Sequence, residues 1–175
     1  PSSIPMERGD LVIRNFAVGE YLYPPGLSWP MHTGMFVRYQ GSDPSDYENY
    51  RVVEAPGTGP AHVIDLEEFI SQAQYQGART KGLALGQRIA VSECAEGKIG
   101  APYAICLGYK GPDNFRCDGL AEACYEAAGA DIVPDSDCLE LTPEKQFVAM
   151  SPAFGVAPLL TYKDSEGNEA LIIKS

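Results

Sequence analysis

The chain has 175 residues, 45% of them hydrophobic, which suffices for one compact domain with a buried core, so we expect residues 1–175 to form a single domain. Acidic residues outnumber lysine and arginine by 24 to 13, which gives a formal net charge of −11, and basic residues are nowhere interleaved with aromatic ones. We therefore expect no nucleic-acid partner, and anionic membrane surfaces would repel the chain. The negative net charge does not prevent a single lipid molecule from binding in a pocket as a substrate.

No apolar stretch approaches the roughly 18 residues that a transmembrane helix needs, so we expect no stable membrane insertion. The first residues, Pro1 to Pro5, do not resemble a signal peptide. A signal that had been removed would leave no trace, so the compartment stays open between cytoplasmic and exported. The oligomeric state is open as well.

Five cysteines occur, an odd number with no C-x-x-C spacing: Cys94, Cys106, Cys117, Cys124 and Cys138. This pattern argues against a structural zinc site and against a complete disulfide framework. At least one thiol should be free.

The first third of the chain predicts three β-strands, at residues 11–14, 32–39 and 50–55. The second and third are joined by polar turn residues, which predicts a hairpin. Residues 15–30 form a loop rich in proline and aromatic residues, which either walls a pocket or covers an edge of the core.

Farther along, a short strand at residues 62–64 precedes a helix that Asp65 caps, and residues 86–92 predict another strand. A turn follows at 100–103. A helix then runs from about Cys117 to Gly129. Residues 132–158 are expected to be mostly irregular, with one short helix at 142–147, and residues 159–162 and 170–173 predict a closing hairpin.

Cys117 stands where a loop becomes a helix, because Leu120, Ala123 and Cys124 recur at the spacing of an apolar helix face. Unpaired N–H groups at a helix N-terminus favour a thiolate and can lower a cysteine pKa to roughly 3.5–7.5. Cys117 is therefore a candidate nucleophile. The alternative is an inert core cysteine, since cysteine is often buried, and we expect that of Cys124.

A cysteine nucleophile needs a base, and the chain offers only His32 and His62. Antiparallel pairing of the predicted hairpin should bring His32 close to Glu54. Glu54 stands between Val53 and Ala55, so it either has a partner or faces solvent. His62 has no obvious orienting group except Asp65, so we favour His32 and expect a structural or solvated role for His62.

Two motifs resemble a known family. Gly100-Ala101-Pro102-Tyr103 followed by Cys117-Asp118-Gly119-Leu120 resembles the signature of NlpC-type papain-fold cysteine peptidases. The histidine strand precedes the cysteine helix, an order similar to the circularly permuted branch of YiiX-like and lecithin:retinol-acyltransferase-like proteins. Gly9-Asp10, the histidine segment 32–37, the strand 52–55 and Cys117 follow that branch's order over residues 8–129.

The resemblance implies an α+β, permuted papain-like fold, in which an antiparallel β-sheet or barrel packs against a helix that carries the cysteine at its N-terminus. It implies a catalytic triad of Cys117, His32 and Glu54, with Tyr103 near the nucleophile to bind the oxyanion or the acyl group. Asp118 departs from the small neutral residue of the family, and its charge opposes thiolate formation while Arg116 offsets it. The substrate cleft is expected among a set of mostly aromatic residues: Tyr103, Asp118, Trp29 and Tyr23.

The expected function is hydrolysis of an amide or peptide bond, in a cell-wall peptide for instance, through a thioester acyl-enzyme. The expected partner is a small peptide or acyl-amide substrate, and the chemistry needs no metal or organic cofactor. Three alternatives remain: a lipid-directed thiol acyltransferase or esterase, a non-catalytic binding domain on the same fold, and a secreted disulfide protein. Residues 130–175 match nothing in the family pattern, so the substrate stays open.

Overall fold

The computed structural model describes residues 7–15, 31–39, 50–71, 75–78, 83–134, 137–143, 145–146, 160–163 and 169–172. Its strands are β1 (Leu11–Asn15), β2 (Met31–Tyr39), β3 (Tyr50–Glu54), β4 (His62–Asp65), β5 (Tyr75–Ala78), β6 (Leu160–Lys163) and β7 (Glu169–Ile172). Its helices are α1 (Leu66–Ser71), α2 (Leu85–Gly97) and α3 (Cys117–Ala127). No helix among these residues is both long and apolar enough to cross a bilayer.

Five strands form an antiparallel sheet in the order β4-β3-β2-β1-β5, and β6 pairs with β7 in a separate hairpin. The predicted β2–β3 hairpin and the closing hairpin are both observed. Strand β5 was not predicted, because its sequence Tyr-Gln-Gly-Ala is short and contains a glycine. It forms because β1 offers it an edge to pair with.

The prediction of a strand at residues 86–92 is wrong, since this segment belongs to helix α2. Its buried residues are Arg88, Val91, Ser92 and Ala95, which have the spacing of one helix face. Two of the four are polar, so the apolar periodicity that predicts a helix is missing. Their partners come from distant segments: Arg88 Nη1 lies 2.9 Å from Asp10 Oδ1, and Ser92 Oγ donates to the carbonyl of Val37.

Helices α2 and α3 pack on one face of the sheet. The core between these helices and the sheet includes Leu11, Met35 and Val37 from the strands and Leu120 and Tyr125 from α3.

The opposite face of the sheet carries His32 and Gly34, because side chains alternate along a strand. Phe69 of α1 lies on that face, where a Cβ added to Gly34 would come within 2.8 Å of Phe69 Cε2.

Four of the five cysteines form disulfides, Cys94–Cys124 between α2 and α3 and Cys106–Cys138 between two loops. Their Cα atoms are 5.5 and 5.3 Å apart, whereas the sequence separations are 30 and 32 residues. The expectation of a free thiol holds, and that thiol is Cys117. Cys124 is buried as expected, but it is disulfide-bonded rather than free.

Candidate active site

Cys117 is the first residue of α3, after the extended residue Arg116. The Arg116 guanidinium ties the helix start to two loops: its Nη1 donates to the carbonyl of Ile105 at 3.0 Å, and its Nη2 donates to the carbonyl of Leu141 at 2.8 Å. Its Nε lies 2.6 Å from Asp118 Oδ1. These contacts hold the first turn of α3, and with it the thiol, in one position.

The thiol faces strand β2. The backbone N–H of Thr33, which follows His32 in the chain, is close enough to the Cys117 thiol to act against the rise of its pKa. Gln146 braces the same contact, because its Oε1 accepts from Thr33 Oγ1 at 3.1 Å and its Nε2 donates to the carbonyl of Asp118 at 2.8 Å. The tertiary structure therefore places the cysteine beside the strand that carries His32.

His32 and Glu54 come together as the antiparallel hairpin predicts. His32 Nε2 lies 2.6 Å from Glu54 Oε2, and both side chains are buried. In the register of the sheet Glu54 stands opposite Gly34, so it is a diagonal neighbour of His32 on the same face. The Glu54 carboxylate is thus paired, and it does not face solvent.

Two further residues contact Glu54: Arg14, which the sequence analysis did not consider, and His62, for which it expected no role in the site. Arg14 Nη2 lies 3.3 Å from Glu54 Oε2, and Arg14 Nη1 donates to the carbonyl of Phe69 at 2.8 Å. His62 Nε2 lies 3.0 Å from Glu54 Oε1, so the group that orients His62 is Glu54 and not the expected Asp65. The reason is the pairing of β3 with β4, which sets Glu54 opposite His62. The sequence signal that could have indicated a role for Arg14 is its position after three apolar residues of β1, where a charged side chain needs a partner.

Burial alone would raise the pKa of Glu54, but the hydrogen bond and charge of His32 and the charges of Arg14 and His62 outweigh it and hold the pKa below its usual value. The carboxylate is therefore ionised at neutral pH. It can orient His32 and stabilise the imidazolium that forms when His32 takes a proton.

The pKa of the Cys117 thiol differs from the one predicted. The helix N-terminus predicted a lowered pKa, yet desolvation of the sulfur raises the pKa of Cys117 to about 12 although the residue as a whole is only half-buried, and the charge of Asp118 adds to this. The N–H groups of Thr33 and Asp118 and the charge of Arg116 act in the opposite direction but do not prevail. Cys117 is consequently a neutral thiol at neutral pH, so a base must remove its proton during attack.

The other predicted site residues have different positions. Tyr103 is near Cys117, since burial and then the charges of Cys117 and Asp118 raise the pKa of its hydroxyl to about 12. Asp118 is 3% exposed, and its Oδ1 accepts from Arg116 and from the backbone N–H of Gly119, so it holds the helix start and does not line an open cleft. Tyr23 and Trp29 lie outside the described residues.

Comparison with known proteins shows the family to which the chain belongs. Residues 5–149 match the model of a family described as "Permuted papain-like amidase enzyme, YaeF/YiiX, C92 family". The chain belongs to this family. The resemblance drawn from the motifs and the predicted α+β, permuted papain-like fold are both confirmed.

The crystal structure of metalloprotein yiiX from Escherichia coli O157:H7 is similar to this permuted papain-like chain, with a TM-score of 0.57. The two sequences are 17% identical, and the match covers 98% of each chain. At that identity the likeness shows the fold alone. No curated protein matches the chain.

One group of acidic residues in this amidase-family chain has the geometry to hold a metal ion. Among the described residues, the carboxylate oxygens of Glu122, Glu126 and Asp131 lie within 4.8 Å of one another. Glu122 already accepts hydrogen bonds from the backbone N–H groups of Ile132 and Val133, and burial raises its pKa to about 7. Protein donors and protonation thus satisfy the buried member of the group, and we assign no step of the chemistry to it.

Proposed function

We propose that the chain is a cysteine hydrolase that cleaves an amide or peptide bond through Cys117, His32 and Glu54. The observation that carries the proposal is the buried His32–Glu54 pair, together with the proximity of the Cys117 thiol to Thr33, the residue that follows His32 on β2. Membership in a family of permuted papain-like amidases supports the reaction type.

The reaction begins with proton transfer, because Cys117 is a neutral thiol. His32 Nε2 is directed at Glu54, so Nδ1 is the ring nitrogen that takes the thiol proton. As it does so, Sγ forms a bond to the substrate carbonyl carbon and the carbonyl oxygen becomes an oxyanion. His32 then gives the proton to the leaving nitrogen, the C–N bond breaks, and a thioester remains on Cys117.

Water completes the cycle. His32 takes a proton from the attacking water and the new C–O bond forms. The C–S bond then breaks as His32 gives that proton to the sulfur, which restores the thiol and releases a carboxylic acid. The oxyanion of each step needs a donor, and Tyr103 is the candidate because it is near Cys117 and its hydroxyl is protonated at neutral pH. A single donor of this kind contributes about 2.7–4 kcal/mol where one has been removed from other enzymes.

A peptide of the cell wall is our first choice of substrate. Two disulfides favour an oxidising compartment, and cell-wall peptides are exposed to such compartments. The net charge of −11 also favours a small peptide or acyl-amide partner over an anionic lipid surface.

A lipid-directed thiol acyltransferase or esterase is the second candidate, and one observation favours it. Ile105, Leu107 and Leu139 are large apolar side chains that are 75%, 94% and 83% exposed. The Cys106–Cys138 disulfide brings their segments together, and Arg116 connects these segments to the start of α3. An acyl chain resting there would lie near the nucleophile.

A substrate panel separates the two candidates. Purified protein is incubated with murein peptides, simple acyl-amides and acyl-phospholipids, and the products and any acyl adduct on Cys117 are identified by mass spectrometry. We expect release of an amine from the peptides and no adduct in Cys117→Ala. Turnover of phospholipid alone would favour the second candidate. Turnover that persists in Cys117→Ala, or no turnover and no adduct in any arm, would leave a binding domain as the better explanation.

A further inference from the structure

The Glu54 carboxylate is held from both of its oxygens. Arg14 and His32 both contact Oε2, at 3.3 and 2.6 Å. Among the described residues, His62 is the side chain that contacts Oε1, at 3.0 Å. His32 is buried at 2% exposure, whereas the His62 side chain is 41% exposed. Glu54 thus bridges an internal histidine and one at the surface.

The hydrogen bonds of His62 define its role. Its Nε2 faces the carboxylate of Glu54, and its Nδ1 lies 3.2 Å from the carbonyl of Pro60. A carbonyl oxygen and an ionised carboxylate can only accept, so a ring nitrogen that hydrogen-bonds either of them does so as the donor. The bond from His62 Nε2–H to Glu54 is charge-assisted because the carboxylate is ionised, which makes it stronger than a neutral one.

The position of His62 is fixed by the loop that carries Tyr103. The backbone N–H of Ala61 donates to the carbonyl of Ala101 at 2.8 Å, and the N–H of Gly100 donates to the carbonyl of Ala61 at 2.7 Å. These two bonds pin the start of β4 to the segment just before Tyr103. His62 is therefore held where its ring can reach Glu54.

We propose that His62 is a positioning residue for the hydrolytic reaction, which anchors Glu54 Oε1 so that Oε2 stays directed at His32. The inference rests on the proposed function. With the Oε1 anchor removed, the carboxylate can rotate about its Cγ–Cδ bond, and water replaces His62. His32 then spends less time in the orientation that accepts the Cys117 proton.

Two amide substitutions of His62 separate its hydrogen bonds. In His62→Gln the amide nitrogen takes the place of Nε2 and can donate to Glu54, whereas in His62→Asn it takes the place of Nδ1 and can reach only Pro60. A matched control is Asp65→Ala, on the same strand, whose side chain is 49% exposed and pairs with Arg51. All three variants leave Cys117 and His32 unaltered.

The readouts are the rate at which iodoacetamide alkylates Cys117 at pH 7, the turnover of whichever substrate the panel identifies, and the melting temperature. We expect His62→Asn to lower the alkylation rate and kcat roughly three- to tenfold at unchanged KM. His62→Gln should keep at least about half of the wild-type rates, and Asp65→Ala should match wild type. Melting temperatures should not follow this order.

Two results would overturn the inference: His62→Asn with wild-type rates, or His62→Gln as slow as His62→Asn. Either can occur while the proposed function stands, provided that wild-type protein is alkylated at Cys117 and His32→Ala is not. If His32→Ala is alkylated as fast as wild type, the proposed function itself fails. The two failures are therefore distinguishable in one set of measurements.

Discussion

Replacing His32 with alanine tests whether the reactivity of the Cys117 thiol depends on His32 as a base or on the helix N-terminus alone. The raised pKa of about 12 compares with 9.0 for an ordinary cysteine, a difference of about three units. At pH 7 the thiolate fraction should then be about 1,000-fold smaller than that of an unperturbed thiol. Without His32, the folded protein should be correspondingly slow to react.

The assay is alkylation by iodoacetamide at pH 7 without reductant, followed by intact mass. The four other cysteines are in disulfides, so the adduct reports Cys117. The internal reference is the same His32→Ala protein unfolded in denaturant, where the thiol is solvated. We expect the folded variant to react roughly 1,000-fold more slowly than this reference and at least about tenfold more slowly than folded wild type.

Two outcomes would refute the reasoning. If folded His32→Ala reacts as fast as wild type, then His32 does not take the proton of Cys117. If it reacts as fast as the unfolded reference, burial does not suppress the thiolate, and the helix N-terminus prevails after all. Cys117→Ala, which should show no adduct, controls for labelling elsewhere.

Three further substitutions probe the surroundings of the site, each by denaturant unfolding. Glu54→Gln removes the carboxylate partner of a buried arginine and should cost about 3 kcal/mol at pH 7. Because the pKa of Glu54 is lowered, wild type should lose this contribution as the pH falls through that pKa, and an unchanged acid profile in the variant would contradict the pairing. Glu122 has its pKa raised from 4.5 to about 7, so wild type should lose up to about 3 kcal/mol as the pH rises between those values. Glu122→Gln, measured with EDTA, should remove that slope, and an identical slope would show that another group titrates. Gly34→Ala places a Cβ against Val52 Cγ1 and within 2.8 Å of Phe69 Cε2 and should cost about 1–3 kcal/mol, whereas a neutral effect would mean that both side chains move aside freely.

Sequence patterning by itself determined much of the permuted papain-like fold. Alternation along β2 and β3, together with antiparallel pairing, sufficed to bring His32 beside Glu54. The apolar spacing after Cys117 sufficed to place that residue at the start of α3. These features were predictable because backbone geometry relates them to neighbours in the chain or in one hairpin.

Tertiary structure alone decided the remaining features. Arg14 and Gln146 reach the site from β1 and from a segment beyond α3, and their contacts depend on packing between elements far apart in sequence. His62 is only eight residues from Glu54, and it reaches the site through the register in which β4 pairs with β3. Helix α2 is stable although half of its buried face is polar, because Asp10 and Val37 supply the partners of that face.

The thiol shows the same division most clearly. Local structure predicts an acidic thiol for Cys117, because a helix N-terminus favours negative charge. Burial by the packed chain and the neighbouring Asp118 reverse that preference and raise its pKa to about 12. The sequence determined that Cys117 begins a helix, and only the surrounding structure decided that its thiol is neutral and, in the proposed reaction, needs a base.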